Sequence, residues 1–163
     1  MEFRIRAGTS DDWPAYRDIR LRMLQEAPDA YGSSYAREAD FSESTWRERA
    51  AHPMLVLAMN QNEEIVGTAT GLTAEDGTVE VVAMYVAPDA RGQGCAGQLL
   101  DAVAAAARQR GAHRLVVRVT RGNRSASRCY TRYGFRPTGR AWPLERKPEL
   151  FEVELAMALG RDH

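Results

Sequence analysis

The densest run of chemistry-bearing residues is Met84-Tyr85-Val86-Ala87-Pro88-Asp89-Ala90-Arg91-Gly92-Gln93-Gly94-Cys95-Ala96-Gly97. An apolar strand ends, a short loop follows, and three glycines open a helix. Backbone N–H groups at a helix start bind phosphate well when no side chain stands in front of them, and the helix dipole favours the anion. Arg91 can add a charge-assisted contact. Arg91, Gly92, Gln93, Gly94, Cys95, Ala96 and Gly97 therefore read as a phosphate cradle. The plainer alternative is that the glycines only permit tight packing of loop and helix.

Two rival phosphate motifs fit less well. Gly92-x-Gly94-x-x-Gly97 is a literal G-x-G-x-x-G. The dinucleotide-binding form wants its first glycine at the strand's end and an acid about 20 residues on for the ribose. Here five residues, 87 to 91, separate strand and glycine, and Asp101 is the only acid between the motif and Leu144. Arg118 could serve a phosphorylated ribose, but the rest does not match. A phosphate loop of the Gly-Lys-Ser/Thr kind is absent from the sequence.

Glu80 is a candidate base. By strand alternation Glu80, Val82, Met84 and Val86 share one face. A carboxylate on an apolar stripe is partly desolvated, which strengthens it as a base near neutral pH. A bulge in the strand would break that register, and an ordinary strand-end glutamate is the equal alternative; an ordered water chain is the other route for the proton. Cys95 and Cys129 do not read as nucleophiles, because His52, His113 and His163 all lie far from them in sequence. No metal site is expected.

These residues need elements to position them. Residues 3 to 7 alternate as a strand, and a helix from Thr9 or Ser10 to about 25 carries Trp13, Tyr16, Ile19, Arg20 and Met23 on one face. Residues 28 to 41 read as a loop, 43 to 51 as a short helix, and 54 to 59, 65 to 72 and 78 to 86 as an antiparallel meander. A helix over 94 to 110 buries Leu99, Leu100, Val103 and Ala107. A strand at 115 to 119 follows, then a helix capped by Asn123 that runs to about 133 with Ala126, Cys129, Tyr130 and Tyr133 on one face. The last strands start at 135 and 151, on either side of a loop at 142 to 148. The fold class is α/β, one sheet with helices on both faces, in a single domain over residues 1–163.

Composition bounds the rest. Residues 26 to 89 hold 12 acids and 3 arginines, whereas residues 90 to 140 hold 11 arginines and one acid. The basic half suits a polyanion and the acidic half a cation. No apolar run approaches about 20 residues, so no membrane span is expected. The N-terminus is charged from its second residue, and two unpatterned cysteines suit a reducing compartment, so the expected location is cytoplasmic. Nucleic acid is not an expected partner, because the arginines follow no reading motif.

At this point the residues resemble a family, the GNAT N-acetyltransferases. Arg91-Gly92-Gln93-Gly94-Cys95-Ala96 fits its R/Q-x-x-G-x-G/A pattern, and Tyr85-Val86-Ala87-Pro88 is similar to its strand-end signature. Asn123-Arg124-Ser125-Ala126-Ser127-Arg128-Cys129-Tyr130 and Tyr133-Gly134-Phe135 resemble its second motif, and the likeness covers residues 54 to 158. The resemblance implies a mixed, mostly antiparallel sheet of about six or seven strands, splayed between the fourth and fifth. It implies acetyl-coenzyme A as co-substrate, its pantetheine arm on the backbone of Met84 and Val86 beside Tyr85, its pyrophosphate on the N–H groups of residues 93 to 97, and Asn123 and Tyr130 along its far side. It implies direct attack by a primary amine, with Tyr130 as general acid and Glu80 as base. A core aromatic is the competing role for Tyr130, and a plain helix cap for Asn123.

The acceptor site of the resemblance falls on residues 20 to 46 and 140 to 149. The first stretch brings Tyr31, Tyr35, Phe41 and Trp46 together with Asp29, Glu38, Asp40 and Glu43, and Glu80 borders the same chemistry. Aromatics with acids suit a cationic amine, small molecule or peptide; a hydrophobic loop with solvated acids is the competing reading. A non-catalytic acyl-coenzyme A binder on the same fold is the alternative function. Oligomeric state is not legible, and a homodimer stays open.

Overall fold

The computed structural model describes residues 2–27, 33–75, 77–145 and 147–160. In chain order its elements are β1 (Arg4–Ala7), α1 (Trp13–Glu26), α2 (Tyr35–Ala39), α3 (Glu43–Ala50), β2 (Leu55–Met59), β3 (Ile65–Thr73), β4 (Thr78–Val86), α4 (Cys95–Gln109), β5 (Arg114–Thr120), α5 (Arg124–Tyr133), β6 (Arg136–Pro143) and β7 (Phe151–Ala158). Among the described residues the seven strands form one mixed sheet in the order β1-β2-β3-β4-β5-β7-β6. The pairs β1–β2, β2–β3, β5–β7 and β6–β7 are antiparallel, and β4–β5 is parallel. The β4–β5 ladder joins Thr78, Val79, Glu80 and Val81 to Arg114, Leu115, Val116 and Val117 and ends there, in keeping with the expected splay. Among the described residues no helix is long and apolar enough to cross a membrane.

The expected order of elements is present, with two corrections. The stretch read as a loop over 28 to 41 contains α2. Five residues are too few for periodicity to declare a helix, and α2 is held by its contacts: Ser34 caps it by accepting the Arg37 N–H at 3.2 Å, and Glu38 bonds to α1. The loop read over 142 to 148 also starts later, because Trp142 and Pro143 belong to β6. That strand ends the sheet order, where a proline costs no ladder bond.

The chain forms two compact units. The first comprises Met1–Thr70 and Ala83–Val103. Its core joins Tyr16, Ile19, Met23 and Leu24 of α1, Trp46 and Ala50 of α3, Leu55 and Leu57 of β2, and Tyr85 of β4. The α1 residues recur at the three- and four-residue spacing that puts them on one stripe. Arg20 lies on that stripe and is buried, its guanidinium bonded to both carboxylate oxygens of Glu38 at 2.9 Å. On β3, Gly67 faces the other way: a Cβ there would stand 3.1 Å from both Cys95 Sγ and Leu99 Cδ1. Gly67 pairs with Ala58 and Leu57 with Thr68, so α1 and α3 cover one face of this unit's strands and the first turns of α4 the other.

The second unit comprises Gly71–Val82 and Ala104–His163. Val81, Val117 and Leu155 form a directly opposed row across β4, β5 and β7, and all three are buried. The neighbouring row is Glu80, Val116 and Ala156, and Arg118 opposes Glu154. By alternation Glu80, Arg118 and Glu154 therefore share the face opposite that apolar row. Phe135 is fully buried against Tyr130 of α5, edge to face at 5.5 Å.

Candidate functional site

In the first unit, β4 runs into a single 3-10 turn (Pro88–Ala90) and then into two left-handed glycines, Gly92 at φ 75° and Gly94 at φ 87°. Only glycine takes that backbone without strain. The Gln98 N–H donates to the Gly94 carbonyl at 3.2 Å, which starts the α4 ladder. The N–H groups of Cys95, Ala96 and Gly97 precede that bond and have no helical acceptor. A Cβ built on Gly92, Gly94 or Gly97 would meet no atom within 4 Å, so the backbone faces open space. A bare helix start with outward N–H groups fits a pyrophosphate, and any side chain at these positions would fill the space it needs. The plainer reading, glycines that only permit tight packing, fails at these three positions. Gln93 donates from Nε2 to the Asp89 carbonyl at 3.1 Å.

Cys95 lies beneath the cradle, buried on Gly67. Burial pushes its thiol up to about 11. Burial also raises the Cys129 thiol, with Arg132 opposing. Thiols so held stay protonated and are poor nucleophiles.

Arg91 turns back toward the strand. Its Nε donates to the Val86 carbonyl at 2.8 Å, its guanidinium pairs with Glu26 at the end of α1, and its Cζ stands 5.7 Å from the centre of the Tyr85 ring. The Tyr85 hydroxyl also donates to Glu26. Burial, followed by that bond, pushes Tyr85 up to about 12, and the bond from Tyr85 is the main cause that holds Glu26 below its ordinary value. The first unit thus brings together Met84, Tyr85, Val86, Arg91 and the glycine turn.

The second unit holds the expected acid and base. Glu80 is half-buried, and Arg118 Nε lies 3.7 Å from its carboxylate. Burial raises the Glu80 carboxyl, Arg118 lowers it, and the Glu152 and Glu154 charges raise it again. Trp142 carries the Arg118 guanidinium 4.1 Å and that of Arg140 4.9 Å from its ring centre. Glu154 is buried, accepts from the Thr138 hydroxyl at 2.9 Å, and lies 3.7 Å from Arg140. Asn123 caps α5 by accepting the Ala126 N–H at 3.2 Å. Tyr130 is the buried residue of that helix. The expected alternation of Glu80, Val82, Met84 and Val86 is interrupted at Ala83, whose φ of 54° is left-handed. A non-glycine residue held so is strained by about 1–2 kcal/mol, and such strain gathers at functional places.

On the acceptor side, Glu38 is not a solvated acid. It is buried between Arg20 and Arg49, and Arg49 lies over both Phe41 and Trp46 at 5.3 and 5.5 Å. Phe41 and Trp46 pack with Tyr16 in the core. These groups hold the fold, and the Glu38 carboxylate is taken up by the two arginines. Tyr35 opens α2 with 41% of its surface exposed. Tyr31 and Asp29 lie outside the described residues. Sequence reasoning missed Glu26, Trp142 and the pairing of Arg118 with Glu80. The first sits 59 and 65 positions from its partners, and no local pattern signals it.

The model of the acetyltransferase (GNAT) family matches residues 17–135. An uncharacterized N-acetyltransferase of Mycobacterium tuberculosis is 31% identical over 103 residues, 63% of this chain and 66% of the relative. A Mycobacterium bovis counterpart gives the same figures. The chain thus spans just under two thirds of the length of these curated relatives. The Salmonella typhimurium protein yncA, solved with its cofactor acetyl-CoA, has a similar fold at a TM-score of 0.77 and 20% identity, over 100% of this chain and 97% of that one. The ribosomal-protein-S18-alanine N-acetyltransferase of Escherichia coli follows at 0.70 and 17%, over 99% and 97%. At such identities the structures speak for the fold alone. The family match runs from α1 through the glycine cradle to the end of α5, and the chain belongs to the acetyltransferase (GNAT) family.

Proposed function

We propose that this protein transfers an acetyl group from acetyl-coenzyme A to a primary amine of a small molecule or peptide, by direct attack of the amine, with residues 1–163 acting as one domain in the cytoplasm. The observation that carries this reading is the bare start of α4, where Gly92, Gly94 and Gly97 leave the backbone open. The N–H groups of residues 93 to 97 hold the pyrophosphate, and the backbone of Met84 and Val86 orients the pantetheine arm. Acetyl-coenzyme A supplies an activated thioester. The Tyr130 hydroxyl gives a proton to the departing sulfur, and Asn123 borders the same part of the coenzyme. Glu80 takes the ammonium proton, directly or along ordered water; its raised carboxyl suits a base near neutral pH. Tyr31 and Tyr35 contact the acceptor. Protonated thiols, Cys95 buried and Cys129 partly so, support direct attack over an acyl-enzyme, and two free cysteines support a reducing compartment.

The test is release of free thiol from acetyl-coenzyme A over a panel of polyamines, aminoglycosides, amino acids and short peptides. Amine-dependent release that falls in Tyr130→Phe supports the proposal. Thermal stabilisation by acetyl-coenzyme A without release from any amine points to the non-catalytic binder. Neither release nor stabilisation overturns the coenzyme reading.

A further inference from the structure

Glu26 is the last residue of α1, where a carboxylate meets the negative end of the helix dipole and a cation is preferred. A residue that breaks a local rule this way calls for a compensating contact. The compensation comes from two directions within the first unit. Tyr85 donates to one carboxylate oxygen of Glu26 and Arg91 to the other. Arg91 is fixed a second time, at the Val86 carbonyl, and a third, by the face of Tyr85.

An arginine half exposed at the lip of a glycine loop would ordinarily sample many rotamers, and an isolated surface ion pair does little to stop it. Here Nε–H and one Nη–H are engaged. A guanidinium has five N–H donors in a rigid fork, so three remain to point elsewhere. Arg91 directly precedes Gly92, the first residue of the cradle. Its orientation is therefore set from Glu26, while its remaining donors stay available to an anion at the cradle.

We propose that Glu26 is a positioning residue of the phosphate cradle: it holds the Arg91 guanidinium, in concert with Tyr85, in the orientation in which Arg91 meets a phosphate oxygen of coenzyme A. The inference rests on the acetyl-coenzyme A reading above. Two other roles make different predictions. If Glu26 serves only to satisfy the buried Tyr85 hydroxyl, coenzyme affinity does not depend on it. If Glu26 competes with phosphate for Arg91, its removal tightens binding.

The experiment is calorimetric titration of coenzyme A into the wild-type chain, Glu26→Ala, Glu26→Gln, Arg91→Ala and the double variant Glu26→Ala/Arg91→Ala, with thermal unfolding of each. Loss of one charge-assisted contact predicts about tenfold weaker binding in Glu26→Ala and at least as much in Arg91→Ala. The double variant binds no worse than Arg91→Ala alone, because Glu26 acts through Arg91. The drop in Tm from Glu26→Ala persists in the Arg91→Ala background, since Tyr85 loses its partner in both. That separation of affinity from stability is what a purely structural role would not produce. Glu26→Gln keeps an acceptor oxygen for Tyr85 and replaces the alanine variant in the cycle if the latter does not fold. Unchanged or tighter binding in Glu26→Ala, or equal losses in both backgrounds, overturns the proposal. Failure of the wild-type chain to bind coenzyme A overturns the function proposed above and this inference with it; wild-type binding with a flat cycle overturns this inference alone.

Discussion

Nε of Arg118 lies 3.7 Å from a carboxylate oxygen of Glu80, close enough for charge to act but beyond a hydrogen bond. Trp142 stacks on that guanidinium and fixes where the positive charge stands. The Glu80 carboxyl is raised chiefly by burial, and Arg118 works against the rise while Glu152 and Glu154 add to it.

If Glu80 is the base proposed above, it must be ionised to act, and its raised carboxyl moves the acid limb of kcat/KM to higher pH than an unburied glutamate would give. Arg118→Gln removes the opposing charge and moves that limb to higher pH. Trp142→Ala frees the guanidinium and moves the limb the same way by less. Glu80→Gln removes the limb and lowers kcat at neutral pH by about a hundredfold. The measurement is kcat/KM from pH 5 to 9 in all three variants; a limb unmoved by Arg118→Gln removes Glu80 from the role of base.

Gly94 holds φ at 87° with open space in front of it. Gly94→Ala adds a methyl group to that space without a charge and costs about 1–2 kcal/mol of stability through the backbone. Gly94→Asp adds a carboxylate to the place proposed for pyrophosphate. Both variants lower Tm by similar amounts, and the aspartate variant loses coenzyme binding far more completely. Titration with coenzyme A and a thermal melt of each variant check this; equal affinity in the two would mean that the phosphates sit elsewhere.

Tyr130 packs edge to face on the fully buried Phe135. Tyr130→Phe preserves that aromatic contact and removes only the hydroxyl, and a thermal melt checks that the fold is kept. If the hydroxyl protonates the leaving sulfur, kcat falls by about 10²–10⁴ with little change in the KM for acetyl-coenzyme A. Steady-state kinetics at saturating amine distinguish this from the core-aromatic role, for which kcat would hold.

The parts of the site that could be read from sequence are those encoded within one or two turns of chain. The glycine spacing located the start of α4, the Leu99, Leu100 and Val103 stripe is fully buried, and Asn123 caps α5 as its position implied. What escaped is set by contacts between distant positions. Glu26 has no local sign of its bond to Tyr85, and α2 exists because Glu38 meets Arg20, 18 positions earlier. Ala83 looks like any strand alanine, and no local pattern marks its left-handed backbone. Reading Glu38 as a candidate for amine recognition failed for the same reason, since the sequence shows an acid among aromatics but not the two arginines that neutralise it.

That pair gives the last prediction. Burial alone would raise the Glu38 carboxyl, but bonds from Arg20 and Ser33 and the charges of Arg20 and Arg49 outweigh it and hold the group at about 2, against an ordinary 4.5. A carboxyl depressed on folding contributes stability that is present above its unfolded value and is lost as pH falls through the folded one. The contribution is therefore complete above about pH 5 and is lost toward pH 2. Glu38→Ala removes the carboxylate that pairs with the buried Arg20 and costs about 3–5 kcal/mol at neutral pH. The double variant Arg20→Met/Glu38→Leu replaces both charges with apolar groups and recovers most of that loss, because a buried pair gains little over well-packed side chains. Denaturant unfolding at pH 7 and at steps down to pH 2 reads all of this at once. Wild type should lose stability between pH 5 and 2 more steeply than the double variant, and parallel acid profiles for the two would mean that the Arg20–Glu38 bond is not what ties α2 to α1.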